Sequence, residues 1–372
     1  MGLAPHRKGP QVTKKRILLL GPKLKAVSGV ATHLNQVFGS SLANDFELIH
    51  FQVGREGKSE GKLALILRFV ASPISLAWTL LSERPQVVHL NTSFDRKAFW
   101  RDLVYLFVAR FFGKKIVYQV HGGDLPRVLF NNDPGKTKWV ERALRKTDVV
   151  CLLSSEEMRA YSEFVPGVRL ELIPNAIDMD PKVVVPSEPK TGPLRLVFVG
   201  RLAPAKGVAE CVGALKLLVD EGRAMRLTVA GLGPQEEELK ILVASIDIRE
   251  HVDFVGPIFD EEENKLWRES DVFVFPTYHH EGLPYALLES MAAGCVPTTT
   301  RVGGHPDVME HNVHGLFVPP RDSRALADAV IKLDEDRNLL LKMAQNGISR
   351  IREHYDIERL AEQFRNVYNS LA

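Results

Sequence analysis

Two doubly wound α/β domains facing each other across a cleft are the fold class this sequence predicts, on three observations. Short, continuously apolar runs rich in β-branched residues alternate with amphipathic helical stretches, the pattern of parallel strands covered on both faces. The alternation stops at a Pro-rich join, PSEPKTGP (186–193), and restarts beyond it. At 372 residues the chain is long for one core and suits two.

In the first half, RILLLG (16–21), QVVHLN (86–91), KIVYQVHG (115–122), DVVCLLS (148–154) and VRLELIPN (168–175) read as buried strands. In the second half LRLVFVGR (194–201), MRLTVAG (225–231), HVDFVG (251–256), DVFVFPT (271–277) and CVPTTT (295–300) do the same. DIERLAEQFRNVYNSLA (356–372) is an amphipathic helix that follows the end of the second pattern. The basic, turn-rich segment 1–15 reads as a disordered tail: the apolar run behind it, Ile17–Leu20, is too short for a signal-peptide core, and His6 stands where a myristoylation signal needs Ser or Thr. Domain bounds of 16–175 and 176–355 follow.

Composition is that of an ordinary soluble protein, 45% apolar and 25% charged. Net charge is only +2, yet residues 1–190 carry 28 basic against 18 acidic side chains and the remainder 20 against 28. The first half is therefore suited to an anionic partner: nucleic acid, phosphorylated lipid or an anionic membrane face. Cys151, Cys211 and Cys295 are odd in number and far apart, which argues against a disulfide framework or structural zinc and for a reducing cytosol.

Ligands of such sheets gather at the carboxyl ends of the strands. The first strand of the second half ends in VGRLAPAKGV (199–208), where Arg201 and Lys206 flank a loop entering a helix, a ready anion trap. HHEGLPYALLES (279–290) places Glu281 before a helix start and Glu289 inside that helix. Pro284 suits the first helical turn, and the backbone at Gly282 and Leu283 can face a phosphate. Glu289 has acceptors for two adjacent sugar hydroxyls. Gly303 and Gly304 in TRVGGHPD (300–307) permit close backbone approach to a ligand.

Three other patterns read as decoys. The Asp-x-Asp of LDEDRN (333–338) belongs to a solvated helix face. His279-His280-Glu281 lacks further ligands at metal spacing. GLGPQEEEL (231–239) has Glu236 where a dinucleotide loop needs its third glycine. FDRKAFWRDLVYLFVARFFGKK (94–115) mixes Trp100 and several Phe with six cations, so it is either a buried crossover helix or a surface resting on an anionic membrane. LALILRFVASPISLAWTLL (63–81) is broken by Arg68 and Pro73 and reads as an interfacial or core helix rather than a membrane span.

Taken together, G-R-L-x-x-x-K-G, E-G-x-P-x-x-x-L-E and the following G-G resemble the donor-binding half of retaining glycosyltransferases of family 4, with the GT-B fold. LIPNAID (172–178) is similar to the family's P-N-G-V-D segment at the domain junction, with Ala176 for the usual Gly. VSGVATHL (27–34) resembles its glycine loop, and QVHGGD (119–124) its H-G loop. The stretch from VVHLN to QVHGGD resembles bacterial enzymes that build exopolysaccharide, lipopolysaccharide or O-antigen on a lipid carrier. There the strand often ends H-x-H, whereas this chain has His89 and Asn91.

The resemblance implies roles. Glu281 would contact the transferred sugar and His121 would sit beside it, as the catalytic pair. Arg201, Lys206, Gly29, Gly282 and Leu283 would hold the donor diphosphate, Glu289 the ribose, and the backbone around Val255, Gly256 and Ile258 the base. Asn91, Ser93 and Arg96 are the acceptor-side candidates, on a first domain that the C-terminal helix would complete. The donor would be a nucleotide-diphosphate sugar and the acceptor lipid-linked or polysaccharide. No metal or other cofactor would be needed and nucleic acid would be no partner. Cysteine usage and the basic first half, rather than the resemblance, place the enzyme in the cytoplasm, peripheral on the cytoplasmic face of the inner membrane. An epimerase or hydrolase on the same donor site, and a non-catalytic glycan-assembly partner, are the alternatives.

Overall fold

The computed structural model describes residues 14–54 and 62–371, with 62–70 described by their backbone. The N-terminal tail therefore lies outside the described residues up to position 13, and the first strand already begins at Lys15. In chain order the first domain comprises β1 (Lys15–Gly21), α1 (Gly29–Gly39), α2 (Leu42–Asp45), β2 (Phe46–Gln52), α3 (Lys62–Ser82), β3 (Val87–Phe94), α4 (Arg96–Phe111), β4 (Lys115–Gly123), α5 (Pro134–Leu144), β5 (Val149–Leu152), α6 (Ser155–Phe164) and β6 (Leu170–Leu172). The second comprises β7 (Arg195–Val199), α7 (Val208–Asp220), β8 (Arg226–Ala230), α8 (Glu236–Ser245), β9 (Val252–Gly256), α9 (Asp260–Glu269), β10 (Val272–Phe275), α10 (Tyr285–Ala292), β11 (Val296–Thr299), α11 (His305–Val308), β12 (Leu316–Phe317), α12 (Ser323–Glu335) and α13 (Arg337–His354); α14 (Ile357–Ser370) ends the chain.

Each domain holds a six-stranded parallel sheet, ordered β2-β1-β3-β4-β5-β6 and β12-β11-β10-β7-β8-β9. This is the α/β fold class the alternation predicts. Two strands go beyond the predicted set. FELIHFQ forms the edge strand β2, where Glu47 and His50 interrupt the apolar run because an edge is covered less than a centre. β12 is only two residues long and carries no pattern to read.

Central strands are buried throughout, Ile17, Leu18, Leu19 and Leu20 of β1 among them. α14 lays Ile357, Leu360, Ala361, Phe364, Val367 and Tyr368, spaced for one helical face, onto Ile17, Leu19, Leu34 and Val37 of the first domain. The chain thus crosses between domains twice, and the crossings are tied: Ile177 N–H donates to Tyr355 O and Ile357 N–H to Ile177 O, both at 3.0 Å. Among the described residues no helix is long and apolar enough to cross a membrane. All three cysteines are buried and free.

Candidate active site

The loops at the carboxyl ends of the two sheets meet. After β10 the chain runs through Thr277 to Leu283 before entering α10. Thr277 Oγ1 donates to Ala205 O at 3.0 Å, and the Tyr278 and His279 N–H groups donate to the same carbonyl at 2.9 and 3.1 Å. This fastens the Glu281 loop to the loop that carries Lys206. Lys206 Nζ and the Glu281 carboxylate form a direct ion pair, both side chains largely buried. Lys206 also stands over the Phe275 ring at 5.7 Å. Arg201, at the start of the loop that carries Lys206, is exposed, with no charged partner among the described residues.

Pro284 occupies the N-cap of α10 rather than its first turn, at φ −70° and ψ 135°. Gly282 and Leu283 are buried, and their N–H groups donate to no acceptor among the described residues. Buried donors without partners are rare in folded proteins, and two of them at a helix mouth beside a lysine suit an anion.

Gly303 and Gly304 serve a different purpose from the ligand approach the sequence suggests. A Cβ on Gly303 (φ 52°) would lie 1.5 Å from Glu281 O, and one on Gly304 2.2 Å from Gly282 O. The glycine pair admits the backbone of the Glu281 loop, which is thereby held from behind. GLGP (231–234) works likewise: a Cβ on Gly231 would fall 1.9 Å from Gly200 O and one on Gly233 2.1 Å from Leu202 O. These glycines let the loop after β8 press on the loop after β7.

The first domain supplies His121, Gly122, His33 and Gly29. A Cβ on Gly122 (φ 72°) would lie 2.8 Å from Gly282 N, so the two domains touch at this point. Asn91 Nδ2 donates to His89 O at 3.4 Å, which turns its Oδ1 to His121 Nε2 at 2.9 Å. Nε2 therefore carries the hydrogen, and His121 Nδ1 is a buried acceptor without a partner among the described residues. Thus Asn91 sets the tautomer of His121.

Behind it His33 packs edge-on at 4.5 Å between ring centroids and reaches the Tyr285 hydroxyl of the second domain at 3.4 Å. His89 bonds Tyr368 at 2.7 Å and Gln119 at 3.1 Å. Burial drives His33 and His89 down to about 3 and His121 well below its usual value, so this cluster is neutral. Gly29 opens α1 facing Tyr285, and a Cβ on Gly29 would lie 3.9 Å from that ring.

Glu289 lies one turn into α10 and against α9, where burial and the nearby Glu263 raise its pKa. Val255, Gly256 and Ile258 belong to the end of edge strand β9 and the loop into α9. Of the acceptor-side candidates, Asn91 is buried at the cleft floor and Ser93 is exposed. Arg96 is already engaged: its Nε donates to Leu129 O at 2.8 Å and its guanidinium to Asn131, so it braces the 129–131 loop. The Asp-x-Asp decoy resolves into Asp334, paired with Arg223 at 2.6 Å, and Asp336, which caps α13. Among the described residues no group of three or more His, Cys, Asp or Glu is placed to hold a metal.

Sequence reasoning missed three members of the cleft. Asn175 Nδ2 donates to Leu283 O at 2.6 Å, and Tyr285 and His33 complete the domain contact. The PNAID and VATHL motifs contain Asn175 and His33, but nothing in the spacing says what they touch.

Two parallel-sheet domains meeting loop to loop, with a lysine, a carboxylate and free backbone donors at their junction, make the GT-B architecture. Residues 37–181 match the family model described as Glycosyltransferase Family 4, and residues 181–350 that of Glycosyl transferases group 1. The chain is a glycosyltransferase of the family 4 type. It is 25% identical over 300 residues to the amylovoran biosynthesis glycosyltransferase AmsK of Erwinia amylovora, covering 77% of this chain and 68% of that one. It is 30% identical over 179 residues to the putative colanic acid biosynthesis glycosyltransferase WcaL of Escherichia coli, where it spans 46% of this chain but only 44% of the relative. Among solved structures, Anabaena Alr3699/HepE in complex with UDP-glucose superposes with a TM-score of 0.74 at 17% identity over 95% of this chain and 99% of that one. Sucrose-phosphate synthase from Thermosynechococcus elongatus gives 0.77 at 19% over 96% and 99%.

Proposed function

We propose that the protein transfers a sugar, with retention, from a nucleotide-diphosphate donor to a lipid-linked or polysaccharide acceptor in cell-surface polysaccharide synthesis. The observation that carries this reading is the Lys206–Glu281 pair at the mouth of α10, beside unpartnered N–H groups and opposite His121. A diphosphate entering the cleft takes Lys206 and the Gly282 and Leu283 donors, with Arg201 closing from the rim. Glu281, released from Lys206, turns to the sugar hydroxyls. Glu289 accepts from the ribose, and the backbone near Val255, Gly256 and Ile258 borders the base.

In the reaction the bond from the anomeric carbon to the phosphate oxygen breaks and the acceptor oxygen bonds to that carbon on the same face. The acceptor proton passes to the departing phosphate. Fixed donors aimed at the growing phosphate charge favour the transition state over bound substrate, one such donor being worth about 3–4 kcal/mol by analogy with oxyanion holes. Lys206 and the backbone donors supply that charge compensation, so the proposed chemistry uses no metal. His121 presents its Nδ1 as an acceptor to the sugar. The exopolysaccharide names of the relatives and the UDP-glucose in the Anabaena protein support the substrate classes. Peripheral attachment to the cytoplasmic face of a membrane belongs to the same proposal, supported by the excess of 28 basic over 18 acidic residues in positions 1–190.

A thermal-shift panel of UDP-, GDP- and ADP-sugars tests the donor class, because a ligand that binds only the folded chain raises its melting temperature. One member should do so at millimolar concentration or below, and a panel without any shift would contradict the reading.

A further inference from the structure

We infer that the outer face of α3 and α4 is a docking surface for a lipid bilayer bearing anionic headgroups. This deepens the proposal of a lipid-linked acceptor by naming the surface that meets the lipid. On α3, Ile74, Trp78 and Leu81 recur at one helical face and are 65%, 72% and 56% exposed. On α4, Trp100, Phe107 and Phe111 share a face with the half-buried Val104, and Phe111 is 87% exposed. The two helices pack side by side through the buried Leu76, Leu80, Leu103 and Leu106, and Ser72 bonds Tyr105 across them at 2.6 Å. The core is thus already served by the inner faces, and of the outer rings Trp78, Phe107 and Phe111 are surplus to it, while Trp100 also packs on Phe99 and Phe130. Large apolar side chains grouped in this way on a soluble surface mark an interaction site. Ala77, Phe107 and Phe111 also line a cavity of about 900 Å³ whose other walls include Arg110, Arg145 and Lys146.

The charge around the rings selects the occupant. Arg84, Lys114 and Lys146 lie at the ends of the adjoining helices and strands and have no acidic partner among the described residues. Arg110 is matched by Asp148 at 2.9 Å and Arg145 by Glu141 at 3.0 Å. A second copy of the chain would meet this face through a two-fold axis and bring the unmatched cations against themselves. An anionic bilayer offers both an apolar layer for the rings and counter-charge for the rim, the combination of an interfacial helix that lies on a membrane without crossing it.

The placement also orients the cleft. α4 starts at the carboxyl end of β3, beside Asn91 and Ser93, and its 16 residues lead away to Phe111. At 1.5 Å per residue the reacting end of the acceptor stands about 24 Å along the helix from the ring most deeply placed in lipid. The acceptor this geometry suits is anchored in the bilayer and extended toward the cleft.

The test is co-sedimentation of the full chain with vesicles of phosphatidylcholine plus phosphatidylglycerol and of phosphatidylcholine alone, at low and physiological salt. The wild type should sediment with the anionic vesicles and less so as salt rises. Trp78→Ser, Phe107→Ser and Phe111→Ser combined should weaken that partition at least roughly tenfold, as expected for three large apolar groups kept from lipid. Lys114→Glu with Lys146→Glu should abolish the preference for the anionic vesicles. Because these side chains are exposed, apart from the half-buried Lys114, the variants should keep the wild-type melting temperature and its shift with nucleotide sugar. Wild type left in the supernatant at low salt overturns the inference. So does a ring variant that binds like wild type, or a wild-type dimer that the ring substitutions split into monomers. A wild type that sediments yet shows no nucleotide-sugar shift would refute the functional reading while leaving the docking surface in place.

Discussion

Glu157 shows how burial, seconded by the neighbouring Glu156 and Asp307, sets the charge of a single side chain. It is buried at the start of α6, where its carboxylate accepts from Leu153 N–H at 2.8 Å, yet burial still pushes its pKa to about 7. A carboxyl whose folded pKa lies above its unfolded value costs stability as pH rises from about 4.5 to about 7. Glu157→Gln keeps an acceptor for Leu153 and removes that cost. The stability difference between variant and wild type should be near zero below pH about 4.5 and grow to about 3 kcal/mol by pH about 8, each pKa unit being worth about 1.4 kcal/mol. Urea unfolding at a series of pH values checks it; a difference that does not change with pH would contradict the assignment. The neighbouring Ser155 N–H donates to Asp307 of the second domain at 2.6 Å, so this helix start is also part of the domain contact.

At the scale of elements, α14 closes the first domain. Phe364 is fully buried among Ile17, Leu19 and Leu34 and stands within 5.9 Å, ring to ring, of His33 and His89. Phe364→Ala should cost about 3–5 kcal/mol, as truncation of a core phenylalanine does. Chemical unfolding measures that loss, and a cost below about 1 kcal/mol would mean that α14 is not integral to the core. The strands were largely legible in the sequence because central parallel strands are apolar on both faces and stand out from helical spacing. β2 was not, since an edge strand tolerates Glu47 and His50. In the cleft, Lys206, Glu281 and the glycines carried signals because loops at strand ends punctuate the pattern. His33, Asn175 and Tyr285 gave none: each is a buried polar residue on an otherwise apolar stretch, and only the folded sheets bring 33, 175 and 285 together. The glycines at 303 and 304 were visible as a close approach, but sequence cannot say that the approaching chain is the protein's own.

For the molecule as a whole, Lys206 and Glu281, on neighbouring loops of the second domain, satisfy each other at the mouth of α10. In the proposed reaction donor binding separates Lys206 from Glu281, and the domain contact at Gly122 and Gly282 accommodates the sugar between them. The paired crossings at Ile177 and Ile357 are the points about which the two domains remain joined while this happens. On the same proposal the acceptor enters on the α4 side, the side that bears the exposed rings.

The central claim is that Glu281 reads the transferred sugar while Lys206 holds its phosphates, and the most direct measurement is a paired assay of Glu281→Ala. Using the nucleotide sugar that raises the melting temperature of the wild type, binding of the free nucleoside diphosphate is followed by calorimetry, and sugar transfer by labelled donor with membrane lipid extract as acceptor. The variant should bind the nucleoside diphosphate at least as well as wild type, because Lys206 and the helix mouth are intact and no ion pair has to be broken, and should lose transfer by at least roughly a hundredfold, the scale of one transition-state contact. Full transfer by a folded Glu281→Ala protein would contradict the account.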